Sequence, residues 1–300
     1  YSGGNSLNGN GMFAMKLHEH PKYNGTHRAR KSVFFFNNKA ILLGSGIENN
    51  DSENETHTTL FQNYLGQNLK NSYIQNEDII IDSQNNLYKV IEGDIVLKKE
   101  KQESRDQNSG ERTENNYELA YINHGKAPEN GKYHYSILIK GTKEEQEKYK
   151  ENSKYEVLNQ DNNSHIVKDL KSNMTGYALF ESGKVQNNRF IESVDTPSMI
   201  LLQEKDRELQ MSFVDPDLRL YEGKDEEQYD ENGVMIERSI YSRPWIGNVG
   251  KEHTTLVVLK GRYTSENSSK VKSEIDGEFT KLSIISKNGE PVKIILKKIS

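Results

Sequence analysis

The sequence contains no cysteine, and only six prolines and one tryptophan, among its 300 residues. The absence of cysteine excludes disulfides, thiol catalysis and thiolate metal sites. It does not exclude export, because many exported bacterial proteins lack disulfides. No apolar run approaches the roughly 20 residues that a membrane-spanning helix needs, and no signal peptide is recognisable. The chain starts at Tyr1 in a Gly/Asn-rich segment without Met, so we expect a piece of a longer polypeptide.

A strong excess of charge of either sign is also missing. Lysine and arginine total 40 against 45 acidic residues, which gives a formal net charge of −5, and no basic stripe stands out. This balance argues against a nucleic-acid-binding protein. An anionic polysaccharide could therefore be held only by local arginine and lysine side chains, not by the field of the whole molecule.

Apolar and polar residues alternate along much of the chain, and 16 tyrosines and nine phenylalanines suit half-buried strands. Asparagine tolerates positive φ, so Asn37-Asn38, Asn85-Asn86 and Asn288-Gly289 predict tight hairpin turns. Regularly spaced short strands with such turns indicate antiparallel sheets packed face to face, and the predicted fold class is all-β. The predicted strands cover residues 32–36, 40–43, 79–81, 87–91, 133–139, 166–170, 176–180, 199–202, 209–214, 254–259 and 292–296.

Three kinds of segment depart from this strand pattern. Thr142, with Glu145 three residues later, is typical of a capping box and predicts a short, charged surface helix over residues 143–151. Residues 98–116 are almost wholly polar and predict a mobile loop, and the acidic residues 222–233 predict a second one. Trp245 is interpreted as a core anchor for its loop, with stacking on a sugar ring as the alternative.

A polar loop around a lone histidine, INHGKAP at residues 122–128, precedes the alternating aromatic strand YHYSI at residues 133–137. Three further passages accompany it: NGMFAMKL at residues 10–17, RKSVFFF at residues 30–36 with LGSGI at residues 43–47, and TTLFQ at residues 58–62. Together these motifs resemble the large β-domain of polysaccharide lyase family 8, whose members cut chondroitin, dermatan and hyaluronan. Residues 15–32 are most similar to the broad-specificity chondroitin sulfate ABC lyases.

The resemblance implies a large multi-sheet antiparallel sandwich followed by a smaller C-terminal β-sandwich. We place the boundary near Thr196, so that residues 1–196 form part of the large central domain and residues 197–300 the C-terminal domain. Lyases of this family need groups that neutralise the uronate carboxylate, a base near C5 and an acid at the leaving oxygen. The resemblance assigns these roles to a His, a Tyr and an Arg of a helical toroid and to a Glu at the edge of the β-domain. The order of the motifs places all four before Tyr1, so we expect no catalytic residue in this chain.

Arg28, Arg30 and Lys31 form the best candidate for contact with a polysaccharide. Guanidinium groups match carboxylate and sulfate bidentately, and a local basic cluster offsets the acidic balance of the chain. A solvated strand entry, or salt bridges to the part of the protein that is missing from this chain, is the structural alternative. The prediction is therefore a substrate-binding cluster at the start of one strand.

Histidines supply the remaining candidates for substrate binding. Strand alternation would place His18 and His20 on one face, where a third histidine could complete a zinc site, but Pro21 interrupts the strand and we expect no metal. His124 either orders the turn before Pro128, or contacts substrate or a neighbouring helical domain. We do not assign it to catalysis.

These observations predict the C-terminal β portion of a glycosaminoglycan lyase acting on chondroitin or dermatan sulfate. It would form one wall of the substrate cleft and support a helical catalytic domain of the same protein, and alone it would be inactive. The alternative is a non-catalytic carbohydrate-binding or structural β-sandwich module. We expect no cofactor, no nucleic-acid partner and no membrane span, and a secreted or periplasmic bacterial protein.

Overall fold

The computed structural model describes residues 2–19, 25–66, 73–76, 78–206, 208–219, 232, 249–265 and 268–299. In these residues the chain forms 23 strands and one helix, and every strand pair is antiparallel, which confirms the predicted all-β class. His20, Trp245 and the predicted acidic loop, except for residue 232, lie outside the described part of the chain.

Two sheets are built from the strands that precede the helix. These strands are β1 (Ser2–Leu7), β2 (Asn10–His18), β3 (Arg28–Phe36), β4 (Lys39–Glu48), β5 (Glu55–Tyr64), β6 (Ile74–Asn76), β7 (Ile79–Ile81), β8 (Leu87–Glu92), β9 (Asp94–Arg105), β10 (Arg112–Lys126) and β11 (Gly131–Leu138). Sheet I has eight strands in the order β1-β2-β3-β4-β11-β8-β7-β6. Sheet II has three, in the order β5-β10-β9.

Two more sheets follow the helix α1 (Lys143–Glu151). Their strands are β12 (Tyr155–Gln160), β13 (Ser164–Asp169), β14 (Met174–Leu179), β15 (Gly183–Lys184), β16 (Ile191–Val194), β17 (Ser198–Lys205), β18 (Glu208–Val214), β19 (His253–Lys260), β20 (Tyr263–Ser265), β21 (Val271–Asp276), β22 (Phe279–Ser286) and β23 (Val292–Lys298). Sheet III has the order β12-β13-β14-β17-β18-β23-β20, and sheet IV the order β15-β16-β19-β22-β21.

The four sheets stack as layers in the order II, I, III, IV, and an apolar core fills each of the three interfaces. Sheets I and III therefore have a neighbouring sheet on each face, and their central strands lose the alternation of exposed and buried positions. Strand β14 is buried at all six positions, whereas β22 in the outer sheet IV alternates. The main core residues, from the first interface to the third, are Phe61, Ile122 and Tyr135; Phe34, Leu43 and Leu201; and Tyr177, Leu259 and Leu282.

The interface between sheets I and III is closely packed. A Cβ on Gly176 of β14 would lie 2.5 Å from Cδ1 of Phe34 on β3, so only glycine fits there. Lys39 Nζ lies 2.5 Å from Asp169 Oδ1 in this interface, and both side chains are buried. Replacing either partner alone would leave an unpaired buried charge, at a cost of about 3–5 kcal/mol. Apolar packing and this ion pair together join the sheets rigidly.

The strand pairing within sheet III is relevant to the position of the domain boundary. Strand β14 pairs with β17 along its whole length, from Met174 opposite Gln203 to Leu179 opposite Ser198. A division after Thr196 would cut sheet III between these two strands. The pairing favours a boundary between α1 and β12, and the predicted division into residues 1–196 and 197–300 stays a prediction.

Two local predictions were wrong. Residues 98–116 are not a loop, because β9 and β10 pair through this region from Lys98 opposite Leu119 to Arg105 opposite Arg112. Asn288-Gly289 adopts positive φ as expected, but it does not close a hairpin. The strands on either side of it, β22 and β23, belong to sheets IV and III, so this turn carries the chain between layers.

The predictions of two asparagine turns and of the helix are confirmed. Asn37 and Asn85 adopt positive φ in the β3–β4 and β7–β8 hairpins. Thr142 and Glu145 form the reciprocal capping box of α1, and Tyr149 buries one face of this charged helix. The helix is too short and too polar to cross a membrane, and no other helix occurs in the described residues.

Candidate functional site

The basic residues at the start of β3 separate onto opposite faces of sheet I. Arg30 lies on the face toward sheet III, where its Nη2 is 3.6 Å from Glu181 Oε1. Lys16 Nζ approaches the same oxygen to 2.5 Å. Arg30 thus forms a salt bridge to another layer of the same chain, rather than to the missing part of the protein that the structural alternative named.

Lys31 lies on the opposite face, toward sheet II. It is half-buried, and no carboxylate of the described residues forms an ion pair with it. Burial lowers the pKa of its amine. An anion placed beside Lys31 would favour the protonated amine and offset this desolvation. Lys31 is therefore the predicted substrate contact whose surroundings best suit an anion.

Tyr133 lies near Lys31 on the neighbouring part of sheet I. Gly44 on β4 pairs with Lys31 on one side and with Tyr133 on the other. A Cβ on Gly44 would lie 2.2 Å from Cε1 of Tyr133, so the tyrosine ring lies over the glycine. The glycine thereby lets the buried aromatic ring reach across β4 in the direction of Lys31.

His124 lies near the end of β10 in sheet II, the layer that faces the Lys31 side of sheet I. Its Nε2 is 2.9 Å from Thr58 Oγ1, and its ring centroid is 6.3 Å from that of Tyr133. The pKa of His124 is lowered, mainly by burial and then by the positive charges of Lys31 and neighbouring histidines. At neutral pH this imidazole is uncharged and offers a hydrogen bond rather than a full charge.

Two further histidines belong to the site and were not among the predicted contacts. His27 and His57 are both close enough to His124 to lower its pKa. The pKa of His27 is itself lowered by burial and by Lys31, against an opposing effect of Glu19. The ring of His57 stacks on Tyr121 at 4.1 Å. Sequence reasoning missed His57 because only the register of β5 against β10, with His57 opposite Asn123, brings it to this place.

The other predicted contacts lie at the margin of this cluster. His18 and Arg28 are cross-strand partners on β2 and β3, and both are exposed. Arg28 Nη1 is 3.9 Å from Glu48 Oε1, a distant and solvated ion pair. In the described residues no group of three or more His, Asp or Glu is arranged to hold a metal ion. The cluster of Lys31, His27, His57, His124 and Tyr133 is hereafter called the lysine–histidine face.

Chemically, the lysine–histidine face is suited to hold an anion beside an apolar surface. Lys31 supplies a cation, His27 and His124 supply neutral donors because burial lowers the pKa of each, and Tyr133 is kept protonated because burial raises its pKa. His57 has a carboxylate partner, since its Nε2 lies 3.2 Å from Glu55 Oε2, but both side chains are exposed to solvent. Binding and orientation, rather than proton transfer, are what this geometry supports.

Comparison with known proteins identifies the family. The description "Polysaccharide lyase family 8, super-sandwich domain" matches residues 1–150, and "Polysaccharide lyase family 8, C-terminal beta-sandwich domain" matches residues 156–219. The chain is 39% identical over 283 residues to a chondroitin sulfate ABC exolyase of Proteus vulgaris, covering 87% of this chain and 27% of that protein. It is 36% identical over 297 residues to a chondroitin sulfate ABC exolyase of Bacteroides thetaiotaomicron, covering 96% and 29%. The chain thus spans less than a third of the length of these relatives.

Solved structures share the fold. A chondroitin AC lyase of Streptomyces coelicolor A3 in complex with chondroitin sulphate superposes with a TM-score of 0.75 at 14% identity, covering 99% of this chain and 36% of that one. A Paenibacillus xanthan lyase gives a TM-score of 0.75 at 17% identity, covering 100% and 29%. At such identities the likeness concerns the fold alone. The two family matches cover most of the chain, and the chain belongs to polysaccharide lyase family 8.

Proposed function

We propose that this chain is the β portion of a glycosaminoglycan lyase acting on chondroitin or dermatan sulfate, and that the lysine–histidine face forms one wall of its substrate cleft. The observation that carries the proposal is Lys31, a half-buried cation without a carboxylate partner in the described residues, beside Tyr133 and His124. The relatives in Proteus vulgaris and Bacteroides thetaiotaomicron, both named as chondroitin sulfate lyases, support the choice of polysaccharide.

In this proposal the chain binds and orients the polysaccharide but does not transfer protons. Lys31 would hold a carboxylate or sulfate of the polysaccharide, and the neutral imidazoles of His27 and His124 would hydrogen-bond its hydroxyls. The ring of Tyr133 gives the wall an apolar surface. Base and acid for β-elimination would come from a helical domain of the same protein, so this chain alone would not turn over substrate.

An uncovered apolar stripe supports such a neighbouring domain. Phe13, Leu17 and Phe35 on β2 and β3 are 36%, 36% and 43% exposed, on the side of sheet I that also carries Lys31. The three strands of sheet II cover only part of this eight-stranded sheet. Neighbouring exposed aromatic and aliphatic side chains are typical of an interaction surface. We propose that the remainder of the polypeptide packs there, and that the protein is exported by a bacterium to the periplasm or the medium.

The test is Lys31→Ala in the complete lyase that carries this chain. Because Lys31 would bind the anion without joining the chemistry, we expect KM for chondroitin sulfate to rise about tenfold while kcat stays within about threefold. Lys293→Ala, which removes an exposed lysine from β23 of sheet III, is the matched control and should change neither constant. An unchanged KM would contradict the proposal, and a collapse of kcat alone would place Lys31 in the catalytic set instead.

A further inference from the structure

A second concave surface lies on the face of sheet III that is turned toward sheet IV. It is an open depression of about 420 Å³, lined by residues of β12, β13 and β14 and of the segment between β15 and β16. Its walls include Leu158, Lys168, Tyr177, Arg189 and Phe190, together with Glu156, the cross-strand partner of Lys168. Sheets I and III separate this pocket from the lysine–histidine face, so the two cannot belong to one binding site. Its volume is within the range of pockets that hold small ligands.

The polar groups in the pocket share one face because of strand register. Lys168 on β13 lies opposite Thr175 on β14, and Ile166 lies opposite Tyr177 two positions along the same strands. Positions two apart on a strand point to the same side, so Lys168, Thr175 and Tyr177 all face the pocket side of sheet III. The side chain of Tyr177 is completely buried, and its hydroxyl has no hydrogen-bond partner in the described residues.

An unpartnered buried hydroxyl is unfavourable for the protein by itself, and few such groups occur in folded proteins. Ionisation of Tyr177 does not relieve this cost, because burial raises the pKa of its hydroxyl far above the usual range. A ligand that enters the pocket with a hydroxyl or carboxylate oxygen could supply the missing partner.

The pocket also offers positive charge and an organised rim. Lys168 is half-buried, and the exposed carboxylate of Glu156 opposite it on β12 is not within ion-pair distance, so no carboxylate of the described residues pairs with this lysine. Arg189 is held by Glu204, with Nη1 3.1 Å from Oε2, and its guanidinium lies 5.1 Å from the ring centre of Phe190. Asn188 fixes the rim, since its Oδ1 accepts hydrogen bonds from the backbone N–H groups of Phe190 and Ile191. The rim is thus formed before any ligand binds.

We propose that this pocket binds one acidic sugar unit, as a second carbohydrate site remote from the proposed cleft. Lys168 would pair with the carboxylate or sulfate, Tyr177 would hydrogen-bond an oxygen of the sugar, and Leu158 with Phe190 would contact the apolar face of the ring. The choice of a glycosaminoglycan sugar rests on the proposed function, whereas the pocket and its unpartnered groups do not. Such a site would hold a polysaccharide on the enzyme between cleavage events.

The test is calorimetric titration of the chain with a monosulfated unsaturated chondroitin disaccharide, which carries both anionic groups and offers no further linkage to eliminate. Lys168→Ala and Tyr177→Phe should each weaken binding about three- to tenfold, the range that a single polar contact contributes. Lys205→Ala, at an exposed position of the same sheet, and Tyr149→Phe, at a buried tyrosine of α1, are the matched controls and should bind as the parent chain does.

The outcomes separate this site from the proposed cleft. Loss of binding in Lys168→Ala with retention in Lys31→Ala supports the pocket. Loss in Lys31→Ala alone, or no binding by the parent chain at millimolar disaccharide, overturns the pocket, while the kinetic test of Lys31 in the complete lyase still decides on the cleft. Circular dichroism checks that Tyr177→Phe folds as the parent chain does. No loss of structure is expected, because the hydroxyl that this substitution removes has no hydrogen-bond partner in the described residues.

Discussion

At the scale of single residues, the direction in which a side chain points decides its role as much as its identity does. The sequence shows Arg30 and Lys31 side by side, and both are suited to bind sulfate. Only the stacking of sheet I between two other sheets reveals that Arg30 is used to hold Glu181, whereas Lys31 faces His124 across the opposite side. Strand alternation predicts that adjacent residues point apart, but it does not tell which face meets the rest of the protein.

His165 gives a prediction at this scale. It is completely buried between sheets I and III, where its Nδ1 lies 2.8 Å from Ser32 Oγ and its Nε2 lies 2.9 Å from Ser45 Oγ. Burial lowers the pKa of His165 from 6.5 to about 3. The unfolded state therefore binds a proton more readily, and stability falls as pH drops below about 6.5 until it levels off near the folded pKa.

We expect this one histidine to reduce the free energy of unfolding by about 2 kcal/mol between pH 7 and pH 5. Urea unfolding at the two pH values measures the effect. The comparison is with His165→Gln, which keeps a hydrogen-bonding side chain but cannot titrate. If the variant loses as much stability on acidification as the parent chain, His165 is not the group responsible.

At the scale of strands and helices, the two-residue period and the asparagine turns predict 11 of the 23 strands in the described residues, because these signals depend only on nearby residues. The β9–β10 hairpin was missed for the opposite reason. Its polar side chains become stabilising only when the strands pair, as when Lys101 Nζ comes 2.7 Å from Glu114 Oε1. Composition alone predicts a loop for such a segment, since the segment contains almost no apolar surface to bury.

The capping box of α1 gives a prediction for an element. Thr142 Oγ1 accepts a hydrogen bond from the Glu145 backbone N–H, and the Glu145 carboxylate accepts one from the Thr142 backbone N–H. Thr142→Ala should lower the free energy of unfolding by about 1 kcal/mol, because the cap of a highly charged helix is lost. Denaturant titration measures it, with Thr113→Ala in the exposed hairpin as the control. An unchanged midpoint would show that the packing of Tyr149 alone holds the helix.

At the scale of the whole molecule, the order of the four layers could not be predicted from the sequence. The runs that are buried on both faces, such as β14, were recognised as strands but not as the middle of a stack. The strand pattern supplied the all-β class, and the resemblance to the lyases supplied the expectation of two sandwiches. The lysine–histidine face was only half foreseen, since Lys31 and His124 were named while His27, His57 and Tyr133 depend on strand pairing over long distances.

The central claim is that this chain holds substrate and lacks the groups that carry out elimination. The most direct measurement incubates the chain alone with chondroitin sulfate and follows the ultraviolet absorbance of the unsaturated product. We predict no increase in absorbance above that of substrate without protein. A steady increase that disappears in His124→Ala would contradict the account, because it would place a working catalytic group on the lysine–histidine face.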